Sequence, residues 1–164
     1  MRHSCRSVCG CRFQRDDVAI DVRVLHSGEV ERVGIALGLA RLYQGDGFYL
    51  VAWQCDEPLG HLHLALSDPP ELQDVQVGSH HRRCDVASKL IAAAEGEARS
   101  RGFTSIRVGV GVDNKPAQAL YLACGYADAG HDPRHVTGTI QIRTGPIEVD
   151  DVIITWEKRL PTAT

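Results

Sequence analysis

The chain has 164 residues, 43% of them hydrophobic and 24% charged, with a formal net charge of −3. That is enough chain for one full core and too little for two comfortable domains, and the charge gives no general pull toward nucleic acid or an anionic membrane. No apolar run approaches the ~20 residues of a membrane helix, and the start MRHSCRSVCGC lacks the apolar segment of a secretory signal, so a cytoplasmic protein with reduced thiols is expected.

Residues 1–16 are rich in Arg, Cys and Ser without any periodic pattern, and read as a loosely held arm before a single domain over 17–164. Cys5, Cys9 and Cys11, with His3, offer soft ligands, but CRSVCGC lacks the paired C-x-x-C spacing of zinc knuckles; no metal is expected. Cys55, Cys84 and Cys124 are scattered and read as small, partly buried thiols.

VAIDVRVL places Val18, Ile20, Val22 and Val24 on one face and predicts a first strand. SGEVERVGIALGLARLY spaces Val30, Val33, Leu37 and Ala40 as a helix, with Ser27 as its cap. FYLVAWQC, LGHLHLAL and ELQDVQV follow, separated by GDG, DEP and SDPP. Three strands with such turns predict an antiparallel meander. His61 and His63 share one face of the middle strand, opposite Leu62 and Leu64, either lining a pocket or facing water.

A long helix is predicted over Val86 to Ser100, burying Val86, Leu90, Ile91, Ala94 and Ala98, with Lys89, Glu95, Glu97 and Arg99 wet and Gly102 as the stop. SIRVGVGV is a strand whose Gly109 and Gly111 suggest close approach by another backbone or a ligand. DNKPAQALYLACGY is a short helix capped by Asp113 or Asn114, with Pro116 in its first turn and Gly125 at its end. HVTGTIQIR and DDVIITWEKRL are the last strands, around TGP. His131 and His135 have helical spacing, but Pro133 between them argues for a surface loop. The sum is an α/β (α+β) domain with a mostly antiparallel sheet and one strand–helix–strand crossover.

The crossover carries the chemistry. VGSHHRRCDVASKL joins a strand end, a basic turn and a helix N-terminus, whose unpaired amides and partial positive charge suit a pyrophosphate. Downstream stands N-x-x-A-x-x-L-Y-x-x-x-G-Y, formed by Asn114, Ala117, Leu120, Tyr121, Gly125 and Tyr126. Together these segments resemble the GNAT acetyltransferase superfamily, with its [Q/R]-x-x-G-x-[G/A] turn. Arg82 stands at the first motif position, Ala87 at the last, and Asp85 where the family has glycine.

The resemblance implies a GNAT-type sheet of about six or seven strands with about four helices, and an enzyme that uses acetyl-CoA as cosubstrate. It implies that main chain near Val75 and Val77 pairs with the pantetheine arm. The amides of Arg83, Cys84, Asp85, Val86, Ala87 and Ser88 would cradle the pyrophosphate, with Arg82 and Arg83 near the phosphates. Asn114 would bond pantetheine or steady the crossover. Tyr121 would lie near the thioester sulfur and protonate the leaving thiolate. Glu71, eleven residues before Arg82, stands where protein-acetylating members carry their general base. The acceptor is expected to be a primary amine of a small molecule, ahead of a peptide or protein amine. The resemblance also implies pairing of two copies through the C-terminal strands.

Asp85 sets a second reading beside the first. Either its amide donates inward while its carboxylate turns to solvent, or the carboxylate caps the helix and fills the anion site itself. The second case would leave a GNAT-like domain that binds coenzyme poorly and serves as a binding or regulatory module.

Overall fold

The computed structural model describes residues 19–39, 46–142 and 145–162. The expected arm, with Cys5, Cys9 and Cys11, lies outside these residues, as does Ala40.

β1 (Asp21–Val24), α1 (Val30–Leu37), β2 (Gly47–Gln54), β3 (Glu57–Ala65) and β4 (Glu71–Val77) form the first half, with β1 to β4 antiparallel in order. A single 3₁₀ turn, Ser27–Glu29, precedes α1, so Ser27 is not the cap. Glu29 stands at the N-cap position of α1 without a side-chain cap; its carboxylate instead reaches back to accept the His26 N–H at 3.2 Å and holds the Arg23 guanidinium at 2.7 Å. This double engagement lowers the Glu29 pKa to about 2, with the Arg23 hydrogen bond as its largest cause. α1 ends at Gly38, whose φ of +68° closes the helix with an N–H donated to Gly34.

After a second 3₁₀ turn at Ser79–His81 the chain forms α2 (Val86–Ser100) and β5 (Ser105–Gly111), which is parallel to β4. α3 (Lys115–Ala123), β6 (Ala127–Asp128), β7 (Arg134–Ile142) and β8 (Gly145–Arg159) complete the fold. The eight-stranded sheet runs β1-β2-β3-β4-β5-β8-β6, with β7 also pairing β8. The fold class agrees with expectation, while the described residues hold one strand more and one helix fewer than the resemblance implied. The extra strand is β6, two residues long and too short to show a period. His135 lies on β7 rather than in a loop, with Nε2 2.6 Å from Asp150 on β8.

The sheet has two covered faces. α2 lies on one, where Val86, Leu90, Ile91, Ala94 and Ala98 are all buried against Leu62, Leu64, Leu72, Ile106 and Val108. The 3.6-residue stripe read from sequence is the one the helix buries. α1 lies on the other face, over Tyr49, Val51 and Trp53. His61 and His63 belong to that second face and are 0% and 8% exposed, so they do not face water.

Other expectations need correction. Glu95 is not a wet residue: it accepts from the Tyr126 hydroxyl at 3.0 Å and from Lys158 at 2.8 Å, tying α2 to β8. Among the described residues, Gly109 and Gly111 are approached by side chains of β8 rather than by another backbone. A Cβ at Gly109 would meet Ile153 at 3.0 Å, and one at Gly111 would meet the Asp151 carboxylate at 2.8 Å. Cys55 and Cys84 are exposed, and Cys124 alone of the three is partly buried.

Candidate active site

Parallel β4 and β5 pair only at Glu71–Arg107 and Leu72–Val108, then separate. A bulge in β4 marks the departure. His63 pairs Gln73 and His61 pairs Gln76, so Leu62 alone stands opposite both Asp74 and Val75, and Asp74 takes a φ of +47°. An extra residue bends its strand and sharpens the twist, which turns the end of β4 away from its neighbour. The gap is a cleft of about 550 Å³ walled by Asp74, Val75, Gln76 and Val77 of β4, by Arg82, and by Pro116, Ala117 and Leu120 of α3. The edge of β4 here offers main-chain groups to an extended ligand, as an open strand edge does.

The start of α2 lies beside β3 because Gly60 has no side chain. A Cβ there would meet the Gln76 carbonyl at 2.8 Å and Val86 at 3.1 Å. Arg82, Arg83, Cys84 and Asp85 are exposed in the connecting turn. Arg83 and Asp85 both adopt left-handed conformations, with φ of +64° and +59°. Such alternation gathers successive N–H groups into a concave, anion-attracting nest. The first α-helical bond runs from Lys89 N–H to the Asp85 carbonyl at 3.0 Å, while the Asp85 carboxylate makes no capping bond. The helix amides of Val86, Ala87 and Ser88 are therefore not taken up by their own cap, and an anion at this end gains from both donors and dipole.

On the opposite wall, Asn114 caps α3 by accepting the Ala117 N–H at 3.2 Å. Steadying the crossover is thus the part of its expected role visible in the geometry. Pro116 sits in the first turn, where its missing N–H costs nothing. Tyr121 is 5% exposed and packs edge-on to Tyr126, ring centroids 5.7 Å apart. Burial pushes its phenol up to about 12, so it holds its proton at neutral pH. Cys124, one helical turn further, is also raised by burial, against a Ser88 hydrogen bond that lowers it.

Of the expected residues, Val75, Val77 and Arg82 meet in the cleft wall. Arg83, Cys84, Asp85, Val86, Ala87 and Ser88 form the turn and first helical residues at its mouth. Tyr121 lies one residue beyond the lining Leu120, in the layer behind the wall. Glu71 stands at the closed end, where β4 still pairs β5, and accepts a 3.3 Å hydrogen bond from Gln73. Asp74 and Gln76 escaped sequence reasoning, because only the partner strand's register reveals the bulge. Pro116, Ala117 and Leu120 were read as motif and helix residues, not as walls.

A splayed parallel strand pair with a bulge on one edge and an uncapped helix start at its mouth defines a cleft that suits an extended ligand carrying an anionic group. The comparisons give that cleft its family. Residues 23–126 match the acetyltransferase (GNAT) family. This chain belongs to the GNAT acetyltransferases, enzymes for which acetyl-CoA is the cosubstrate. No curated protein matches the sequence. Similar folds include the ribosomal-protein-S18-alanine N-acetyltransferase from Escherichia coli, at 16% identity and a TM-score of 0.68 over 89% of this chain and 97% of that one. A putative streptothricin acetyltransferase from Bacillus anthracis, in complex with acetyl coenzyme A, shows 14% identity and a TM-score of 0.65 over 86% and 99%. A spermidine/spermine N-acetyltransferase from Vibrio cholerae shows 16% identity and a TM-score of 0.64 over 86% and 92%. No helix among the described residues is long and apolar enough to cross a membrane.

Proposed function

We propose that this chain transfers the acetyl group of acetyl-CoA to the primary amine of a small molecule, by direct attack in a ternary complex. The observation that carries the reading is the open β4 edge with an uncapped helix start at its mouth. The pantetheine arm would lie along Val75 and Val77, the pyrophosphate on the amides from Arg83 to Ser88, and Arg82 beside it. Closure of the α1 face over β2 and β3 suits a compact amine over an extended peptide. The similar folds named above act on a protein alanine in one case and on polyamines in another.

The chemistry follows from these positions. A neutral amine nitrogen attacks the thioester carbonyl, and a C–N bond forms as the C–S bond breaks. The surplus amine proton passes through water to Glu71, and the leaving thiolate takes a proton from Tyr121. A main-chain N–H of the splayed strand stabilises the oxyanion between the two steps.

The second reading, a coenzyme-poor binding module, rests on Asp85, and one experiment separates the two. Acetyl-CoA is titrated by calorimetry into the native chain and into Asp85→Gly. We expect the native chain to bind in the micromolar range and the variant about fivefold tighter. A carboxylate some 4 Å from a phosphate in a water-like dielectric opposes binding by about that factor. Binding only by the variant would establish the module reading, and binding by neither would remove the coenzyme site altogether.

A further inference from the structure

Tyr121 needs more than its own contacts to be aimed. Among the described residues nothing hydrogen-bonds its hydroxyl, so the ring stands where packing puts it. Tyr126 supplies that packing in two ways. Its ring meets Tyr121 edge-on at 5.7 Å, and its N–H donates to the Tyr121 carbonyl at 2.9 Å. The chain returns this closely because Gly125, between α3 and Tyr126, takes a φ of +90°.

Tyr126 is itself held. It is 1% exposed, and its hydroxyl donates to Glu95 Oε1 at 3.0 Å. The other carboxylate oxygen accepts from Lys158 of β8 at 2.8 Å, and the Lys158 ammonium lies 5.7 Å from the centre of the Tyr126 ring. The Lys158 stem passes over Gly125, where an added Cβ would meet its Cε at 3.5 Å. The Glu95 and Lys158 side chains are only 15% and 26% exposed. Taking such a pair out of water costs about as much as its attraction returns, so stability alone gives little reason for it.

We propose that Glu95 is a positioning residue for the acetyl transfer: anchored by Lys158, it fixes Tyr126, and the Tyr126 ring then sets where the Tyr121 hydroxyl meets the coenzyme sulfur. The inference rests on the acetyl-transfer reading and on the acid role of Tyr121 within it. Glu95 rides on α2, nine residues past Val86 and about 14 Å along the axis at roughly 1.5 Å per residue. The helix whose start takes the pyrophosphate thereby also registers the acid at the far end of the pantetheine arm. A reacting group displaced by about 1 Å can lose about a hundredfold in rate, so one rigid rod joining both contacts has a use that packing alone does not explain.

The test follows the thiol of bound CoA, labelled with carbon-13 beside the sulfur, by NMR as pH is raised. Tyr121 keeps its proton through this range and can donate to the thiolate, since burial holds its phenol at about 12. Tyr121→Phe should weaken the preference for thiolate over thiol about tenfold, as loss of a hydrogen bond to a charged group does. Tyr126→Phe keeps the ring and removes the hydroxyl, whereas Glu95→Ala removes the anchor. Each should weaken the preference about threefold or more in the native background and leave it unchanged in the Tyr121→Phe background. A merely structural role would act alike in both. No effect of either variant, or the same effect in both backgrounds, overturns the proposal. If Glu95→Ala shows no melting transition, Tyr126→Phe decides alone, because its hydroxyl is the group that Glu95 holds. The reading beneath fails separately: native protein that binds no CoA removes the acetyl-transfer site, and binding with no effect of Tyr121→Phe removes the acid role and the proposal with it.

Discussion

Among single residues, the proposed acetyl transfer turns on Asp85 and Tyr121. The family's glycine position is left-handed here, at φ +59°, and aspartate is among the few side chains that accept it. Its carboxylate leaves the helix amides alone, so under the proposed function the residue would oppose a phosphate by charge without filling its place. The effect of Asp85→Gly on acetyl-CoA affinity should therefore shrink as salt rises from ~0.01 to ~0.5 M, because exposed charges are screened. Tyr121 is a matter of protonation. With its phenol held near 12 by burial, it keeps its proton across the working range. The unfolded chain ionises this group near 10, so its contribution to stability is complete below ~10 and declines as pH rises toward ~12. Any alkaline fall in kcat below pH ~10 then belongs to another group. Tyr121→Phe keeps the edge-on packing with Tyr126 and removes only the proton. We expect kcat to drop by about 10²-fold or more with little change in melting temperature or acetyl-CoA affinity, measured side by side. An equal loss of stability would place Tyr121 in the core alone.

At the scale of elements, the crossover depends on two small devices. Gly60 lets α2 press onto β3, and a methyl group there would strike the Gln76 carbonyl at 2.8 Å. Gly60→Ala should destabilise the chain by about 1–3 kcal/mol in urea unfolding, as overpacking does. It should also weaken acetyl-CoA binding by displacing the helix start. Asn114→Ala removes the α3 cap and should cost about 1 kcal/mol in the same measurement. α2 was legible in sequence, since a five-residue apolar stripe at helical period is a local signal, whereas Asp113 and Asn114 both stood as caps of α3 and the Ala117 N–H bond decides for Asn114. The β4 bulge was not legible, because ELQDVQV reads as a plain strand and the extra residue exists only against the register of β3. The burial of His61 and His63 was hidden for a related reason. Alternation assigns them a face, but only α1, far away in sequence, decides whether that face is wet. β8 starts five residues before the expected DDV because its first half pairs only β7 over Gly145–Asp151 and has no apolar layer to enforce alternation.

Over the whole molecule, the sheet is two halves joined at a narrow seam. β1 to β4 form one and β5 to β8 the other, and the β4–β5 ladder between them is two residue pairs long. The rest of the junction is the core beneath α2, where Leu72, Ile106, Val108 and Leu90 meet. A pantetheine arm along Val75 and Val77 would extend the seam with main-chain hydrogen bonds, and the pyrophosphate would tie α2 to it. Ligand at a hundredfold its Kd adds about 2.7 kcal/mol to the folded state, and each kcal/mol is worth about 2–4 °C in a domain of this size. Saturating acetyl-CoA should therefore raise the melting temperature by about 5–10 °C. The gain should also be local. Amide exchange should slow most at Val75 to Val77 and at Val86 to Ser88, and change little in β1 or in the β7–β8 ribbon, which lie away from the cleft. Uniform slowing would mean that the coenzyme acts on global unfolding alone, whereas slowing confined to the cleft walls and helix start would show the seam being closed by its ligand.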